Sequence, residues 1–484
     1  MIVLYSVIFI SILTYFLVRI QLKRREIERD FGHIPSPKEL SGFGNILLLK
    51  KRSLTEASDL LEKITPEPTT KVTFAGHVAF ASYDPEICKQ VLLSTSFLER
   101  PFMFDFFKLE HGLVSAYYKN WKPVRLALNK TVSQASVLGM IEKFNKHADR
   151  LVTKFEWFLD DEKFDVINIC MRYGMEQVFD TMLETEFTAD YHDGHMIQEL
   201  NEVACARSFY LLYYPEWIFR WTKLHKRAQG WHDYMELILR PIIQKRKLFE
   251  HLNHEKIDSK PTFMQELQRI TYGEKTVPKQ AMMDNLKLII LAGAEPLSIA
   301  ISNVLTMLAI HPEIDEKVYE EIQQFYKEDI PLDNEYLKNF ELLDRVIQET
   351  NRLFTVIPGT IRDTMFDTYI KGIGLIPKGT VIGLIYTKLH RDPKIWGPDA
   401  NKFNPDHFLP EKIAERHPYS YLPFSGGARS CFGRHFGIVA TKIALIKVLA
   451  KYKFTTKAKM EDIIFRFSLV MKIENKFGMQ VNRR

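Results

Sequence analysis

The stretch Phe424-Ser-Gly-Gly-Ala-Arg-Ser-Cys431-Phe-Gly433 decides how the rest of this chain is read. Glycines on both sides of a single cysteine permit a tight loop whose backbone comes close to a flat partner. Backbone N–H groups in such a loop can point at the sulfur and tune its electron donation. Arg429 sets a fixed positive charge two residues before Cys431. This is the pattern of a thiolate metal ligand rather than of an inert buried cysteine.

The composition fits a large folded body. The chain has 484 residues, 46% of them apolar and 26% charged, which is ordinary for a globular protein. Its four cysteines are Cys88, Cys170, Cys205 and Cys431, with no C-x-x-C pair. A disulfide-stapled scaffold and a structural zinc ribbon are therefore excluded. Net charge is +6, from 66 basic and 60 acidic residues, and no basic tract is long enough for a nucleic-acid arm. Length alone favours about three domains at ~150 residues each.

Phe424, Gly427, Arg429, Cys431 and Gly433 occupy every fixed position of F-x-x-G-x-R-x-C-x-G. In this the sequence resembles the cytochrome P450 family. The resemblance implies heme b as cofactor, with the Cys431 thiolate as the iron ligand. Further matches follow in the family's order. Glu349-Thr-Asn-Arg352 is E-x-x-R, whose two charges share one face of a helix. In the family this pair is buried and structural, and its third partner is an Arg in P-x-R-F. Here that segment reads Pro405-Asp-His407-Phe408, and His lacks the guanidinium fork. Trp121-Lys-Pro-Val-Arg125 matches W-x-x-x-R, whose Trp and Arg donate to a heme propionate in the family. Arg362 and Arg429 are further propionate candidates by the same resemblance. The matches span about residue 30 to the C-terminus. The phrases HPEIDEKVYEEI and HRDPKIWGPDA are most similar to the microsomal family-4-type branch, including its insect members.

The oxygen-activating segment departs from the family. A/G-G-x-D/E-T-T becomes Ala292-Gly293-Ala294-Glu295-Pro296-Leu297, and both threonines are lost. The first of them assists oxygen activation and proton delivery in the family; Pro296 has neither a hydroxyl nor an N–H. Proline is expected to open the helix here, freeing the Ala292 carbonyl toward a groove. A water in that groove would take over part of the threonine's role, with Glu295 as proton relay. Ser298 lies about 200° around the helix from Pro296 and is a poor replacement. Ala292 stands where family-4-type enzymes often carry a Glu that esterifies the heme, so the heme is expected to be non-covalent. Two alternatives follow from the lost threonines: a peroxide-rearranging enzyme that needs no O2, or a non-catalytic heme-thiolate binder.

The N-terminus differs from the rest. Ile2 to Val18 carries no charge, and Arg19, Lys23, Arg24 and Arg25 follow at once. As a helix at ~1.5 Å per residue the apolar run is roughly 26 Å long, near the thin end of bilayer cores. With no small-residue cleavage site, residues 1–20 read as an uncleaved signal anchor with the body on the cytoplasmic side. Residues 21–37 form a basic, Pro-containing hinge, and 38–484 the catalytic domain. The segment 281–310 is apolar but carries Asp284, Lys287 and Glu295, and reads as a core helix rather than a span.

The expected fold is mainly α with a small β-rich lobe (α+β), in the P450 architecture, preceded by one transmembrane helix. The resemblance implies a monooxygenase at the endoplasmic reticulum membrane. It would take NADPH electrons through NADPH-cytochrome P450 reductase, with cytochrome b5 as a further partner, and act on an apolar small molecule such as a fatty acid, hormone or xenobiotic. Membrane lipid is a partner and nucleic acid is not. Arg434 and Lys442 are candidates for docking an acidic reductase. Phe102, Phe104, Phe106 and Phe107 either line an apolar pocket or belong to the core.

Overall fold

The computed structural model describes residues 2–37, 45, 64–74, 77–159, 165–187, 193–250, 261–466, 469–474 and 478–484. Residues 38–44 of the stretch after the hinge lie outside them.

The central element is the helix Gln280–Ile310. It is apolar on nearly every face, and such a helix is stable only when surrounded. It is long and apolar enough to cross a membrane, yet most of it is buried inside the protein. It packs most extensively on Val166–Thr181, with Glu341–Leu353 and Arg434–Lys451 also against it. The first contact is close because Gly174 has no side chain: a Cβ there would lie 2.5 Å from the Ala294 carbonyl oxygen. Ser298 fastens the same crossing, its hydroxyl donating to Cys170 O at 2.9 Å and to Ala294 O at 2.6 Å. Tyr173 then donates to Ala440 O at 3.0 Å, tying in Arg434–Lys451. One large apolar core joins these helices from Phe107 to Val481, and a second, smaller one lies in the β lobe, around Phe80, Leu92 and Leu384.

The β lobe holds a four-stranded sheet ordered Thr69–Phe74, His77–Ser82, Val381–Ile385, Gly359–Asp363. Its middle pair is parallel and the outer pairs are antiparallel. Three two-stranded ladders complete the β structure of the described residues, one of them Thr368–Ile370 with Gly374–Ile376.

The first helix, Ile2–Phe31, continues through the basic residues, so the helix breaks only at the Gly32–Pro37 end of the expected hinge. Its last turns are docked. Ile27, Phe31 and Ile34 are buried with Phe80 and Leu384, and Lys71 Nζ donates to Glu28 Oε2 at 2.6 Å and Phe31 O at 3.0 Å.

Candidate heme-thiolate site

Pro85–Leu93 is a short helix capped by Asp84, whose carboxylate accepts from Glu86 N and Ile87 N. It ends against the cysteine loop. Gly427 sits there at φ 68°, and a Cβ would lie 2.8 Å from the Leu92 carbonyl carbon and closer still to its oxygen. Only glycine satisfies both demands. The loop then turns back on itself: Ser430 N donates to Gly427 O at 3.1 Å and Cys431 N to Phe424 O at 2.9 Å. Phe424 is half-buried, and Gly433 caps the helix Arg434–Lys451. Ser425 is fixed from the side by the buried Tyr386, their hydroxyls 2.8 Å apart.

A second set of bonds ties this loop to the Glu349–Arg352 pair. Arg352 donates to both Glu349 oxygens at 2.7 Å, to His390 O at 2.7 Å and to Ala400 O at 2.6 Å. Both side chains are fully buried. His407 completes the triad in place of the family's arginine: its Nδ1 lies 3.1 Å from Glu349 Oε1 and its Nε2 3.2 Å from Asp399. The second contact is within ion-pair distance but not aligned as a hydrogen bond. Burial pushes the His390 imidazole down to about 3, so it is neutral. Its Nε2 accepts from Leu422 N at 2.9 Å, leaving Nδ1–H to donate to Thr355 at 2.8 Å. The E-x-x-R core thus reaches the cysteine loop through one imidazole.

Cys431 is the only accessible cysteine; the other three are buried. Its sulfur is nevertheless surrounded by enough protein for burial to raise the thiol pKa, against which a Gly433 backbone hydrogen bond and the charges of Arg125 and Arg434 act. Iron ligation would oppose that burial penalty far more strongly, because a coordinating thiol is deprotonated outright.

Beside this loop lies a cluster of cations. Arg362 and Arg429 are buried and Arg125 is half-buried. Arg100, which no motif marks, joins them. Arg429 donates to Leu98 O at 3.1 Å and Ala116 O at 3.0 Å and stacks 4.0 Å over the Trp121 ring. Arg362 donates to Ile361 O and to its neighbour Thr360. Burial lowers the pKa of all four guanidiniums; for Arg429, pushed to about 9, and for Arg100, repulsion by Arg362 adds to it. Among the described residues none of the four is paired with a carboxylate. Arg100 Nε, Arg125 Nε, Arg429 Nη1 and Trp121 Nε1 are buried without any hydrogen-bond partner. Unpaired buried cations and N–H groups cost several kcal/mol, and an anionic partner with several acceptor oxygens removes that cost. The donors therefore fit the two propionates of a heme whose iron is held by Cys431.

The segment between Leu98 and Tyr117 joins this cluster to the central helix. Leu98 and Ala116 accept from Arg429, while His111 N donates to Asp284 and Leu113 N to Asn285, both at 3.0 Å. On the central helix Ala292 is exposed and Ile289, Gly293, Pro296 and Ala300 are half-buried, although the residues between them are buried. Their three-to-four-residue spacing makes one stripe open to the interior. The helix runs through Pro296 without interruption, so the expected opening is not found; proline only deprives the Ala292 carbonyl of its usual N–H partner. Glu295 is 3% exposed and accepts from Asn201 Nδ2 at 2.6 Å. Burial pushes its carboxyl up to about 7, with the Asn201 bond and Lys472 pulling down and Glu202 pushing up.

Two other expectations change. Lys442 is buried and paired with Asp344 at 2.6 Å, so it is unavailable for docking a partner, whereas Arg434 is exposed. Of the four phenylalanines, Phe106 and Phe107 are buried and Phe107 belongs to the main core; Phe102 is half exposed and packs edge-on against Phe106 and Tyr214.

The family model described as "Cytochrome P450" matches residues 34–481. The chain belongs to the cytochrome P450 family. This P450 is 26% identical over 473 residues to "Cytochrome P450 4c21" of Blattella germanica, covering 93% of each chain. It is also 26% identical over 478 residues to "Probable cytochrome P450 313a1" of Drosophila melanogaster, covering 93% of this chain and 94% of that one. Its relatives thus include insect P450s, one of them family-4-type. Membership makes it a heme-thiolate monooxygenase, with a heme iron cofactor and a cysteine thiolate ligand.

Proposed function

We propose that this P450 inserts one oxygen atom from O2 into an apolar small molecule, a fatty acid, hormone or xenobiotic, using NADPH electrons delivered by NADPH-cytochrome P450 reductase, with cytochrome b5 as a second donor. The observation that carries the site assignment is the set of buried, partnerless donors on Arg100, Trp121, Arg125 and Arg429 beside the accessible Cys431. Bound there, the heme supplies the oxygen-activating iron chemistry. The chain's own residues do the rest. Gly427 and Phe424 hold the Cys431 loop in shape, and the arginines with Trp121 orient the propionates. Glu295, whose carboxyl burial pushes up to about 7, can gain and lose a proton near neutral pH, and a water at the Ala292 carbonyl, which lacks its usual N–H partner, would stand in for the threonine hydroxyl. Ala292 offers no carboxyl for an ester, so the heme is held non-covalently. Turnover of a lipid panel with NADPH and reductase tests this reading; a heme-loaded enzyme inactive toward every member with both present overturns it.

A second reading is kept because Pro296 has no hydroxyl and the Ser298 hydroxyl is already committed to Cys170 and Ala294 carbonyls. On that reading the enzyme rearranges peroxides without O2. Turnover of a fatty-acid hydroperoxide in the absence of NADPH distinguishes the two.

We further place the enzyme at the endoplasmic reticulum membrane, body cytoplasmic, with residues 2–18 as the anchor. Tyr5, Ile8, Ile10, Tyr15 and Val18 are exposed on that helix, which supports lipid around it. The cross-strand pair Tyr369 and Leu375 is also exposed, on the hairpin against which Phe31 docks at Gly374. Recovery of the chain in the supernatant after alkaline carbonate washing of microsomes overturns this placement.

A further inference from the structure

We infer that Asn201 is a positioning residue for proton delivery: from the helix Asp193–Phe209 its amide clamps Glu295 and so makes the protonation of that acid depend on where the helix sits. The inference rests on the reading of Glu295 as proton relay and adds its control.

The contact joins residues far apart in the chain, across two helices, and both side chains are buried. Asn201 Nδ2 donates to Glu295 Oε2 at 2.6 Å. A carboxamide N–H donates to a carboxylate oxygen and, more weakly, to the carbonyl oxygen of a neutral acid. It therefore fixes one Glu295 oxygen while leaving the other able to gain or lose a proton. A lysine or arginine in that place would lock the acid in its ionised form. The charged groups whose fields reach Glu295 are Lys472, on the strand Lys472–Glu474, and Glu202, on Asn201's own helix. Glu202 is itself paired with Arg227 at 3.0 Å. Asn201 is thus the direct partner and the other two are background fields.

The same helix is held at its far end by Arg207. That guanidinium donates to Tyr213 O at 2.9 Å and Glu216 Oε2 at 2.8 Å, and it stacks over Phe106 at 4.4 Å and Phe219 at 3.8 Å. Arg207 is six residues from Asn201, about 9 Å along a rigid helix. A molecule that displaces the Leu211–Phe219 segment pulls on the element that holds Glu295.

The test is infrared difference spectroscopy of the full-length, heme-loaded protein, following the Glu295 carboxyl C=O band against pH. The band is assigned by its loss in Glu295→Gln. Asn201→Leu removes the donor and should raise the midpoint by on the order of one pH unit; Asn201→Lys adds a charge and should lower it by a similar amount. A merely structural role would not move the midpoint in opposite directions. Midpoints unchanged in both variants overturn the role of Asn201. A wild-type band that does not titrate between about pH 5 and 9 overturns the relay reading itself.

Discussion

Replacing Gly427 with alanine separates two costs that the loop combines. The residue sits at φ 68°, where an L side chain costs about 1–2 kcal/mol relative to glycine. Gly379 supplies the control: its φ is 79°, but nothing lies within 4 Å of an added Cβ. Gly379→Ala should therefore show the strain alone. Gly427→Ala adds an overlap with the Leu92 carbonyl group, 2.8 Å from its carbon. Leu92 is buried with Phe31, Phe80 and Leu384 and is held at the end of a capped helix, so the cysteine loop must give way. Forced overpacking adds about 1–3 kcal/mol. Displacing Cys431 by about 1 Å would cost on the order of 100-fold in rate. Thermal unfolding and the carbon monoxide difference spectrum per heme, measured on both variants, decide the matter. The account expects Gly379→Ala to keep the spectrum with a small loss of stability. It expects Gly427→Ala to lose much of the spectrum and at least twice the stability. Equal behaviour of the two variants would refute the claim that Leu92 shapes the loop.

Other outcomes follow from the same geometry. Arg352→Lys cannot reproduce the fork to Glu349 and the carbonyls of His390 and Ala400, and breaking a buried pair costs about 3–5 kcal/mol; heme-loaded protein should not accumulate, and normal yield would contradict this. Burial lowers the His407 pKa, but the Glu349 hydrogen bond and charge outweigh it and the net shift is upward. Its contribution to stability is therefore complete below the ordinary histidine value of about 6.5 and is lost as pH rises through the raised value. His407→Arg, which stays charged, should flatten that alkaline decline in Tm, and an unchanged decline would sink the assignment. Pro296→Thr should change the fraction of NADPH electrons recovered in product; unchanged coupling leaves the water beside Pro296 without support.

Much of the site was legible because its signals are local. The cysteine loop needs its glycines and Arg429 at fixed spacing, and Glu349 and Arg352 share a helix face at three residues' separation. Even the substitution of His407 was readable, and the structure places it on Glu349. What sequence concealed are partners chosen by packing. Arg100 follows Glu99 in an irregular segment with no periodicity or motif, and only the fold brings it to Arg362 and Arg429. Asn201 meets Glu295 through a crossing of two distant helices. A charge on a helix is usually solvated, which makes Lys442 a surface candidate, but packing buries it and Asp344 on a neighbouring helix pairs with it. A proline inside a helix signals an opening, but with neighbouring helices packed around Pro296 the helix stays continuous.

The central claim is that Cys431, within its cradle of partnerless donors, is the thiolate ligand of a heme iron. The reduced carbon monoxide difference spectrum of the full-length protein tests it most directly. The account predicts the thiolate-type band in the wild type and its loss in Cys431→Ser. A folded, heme-loaded wild type without that band, or a Cys431→Ser variant that keeps it, would contradict the account.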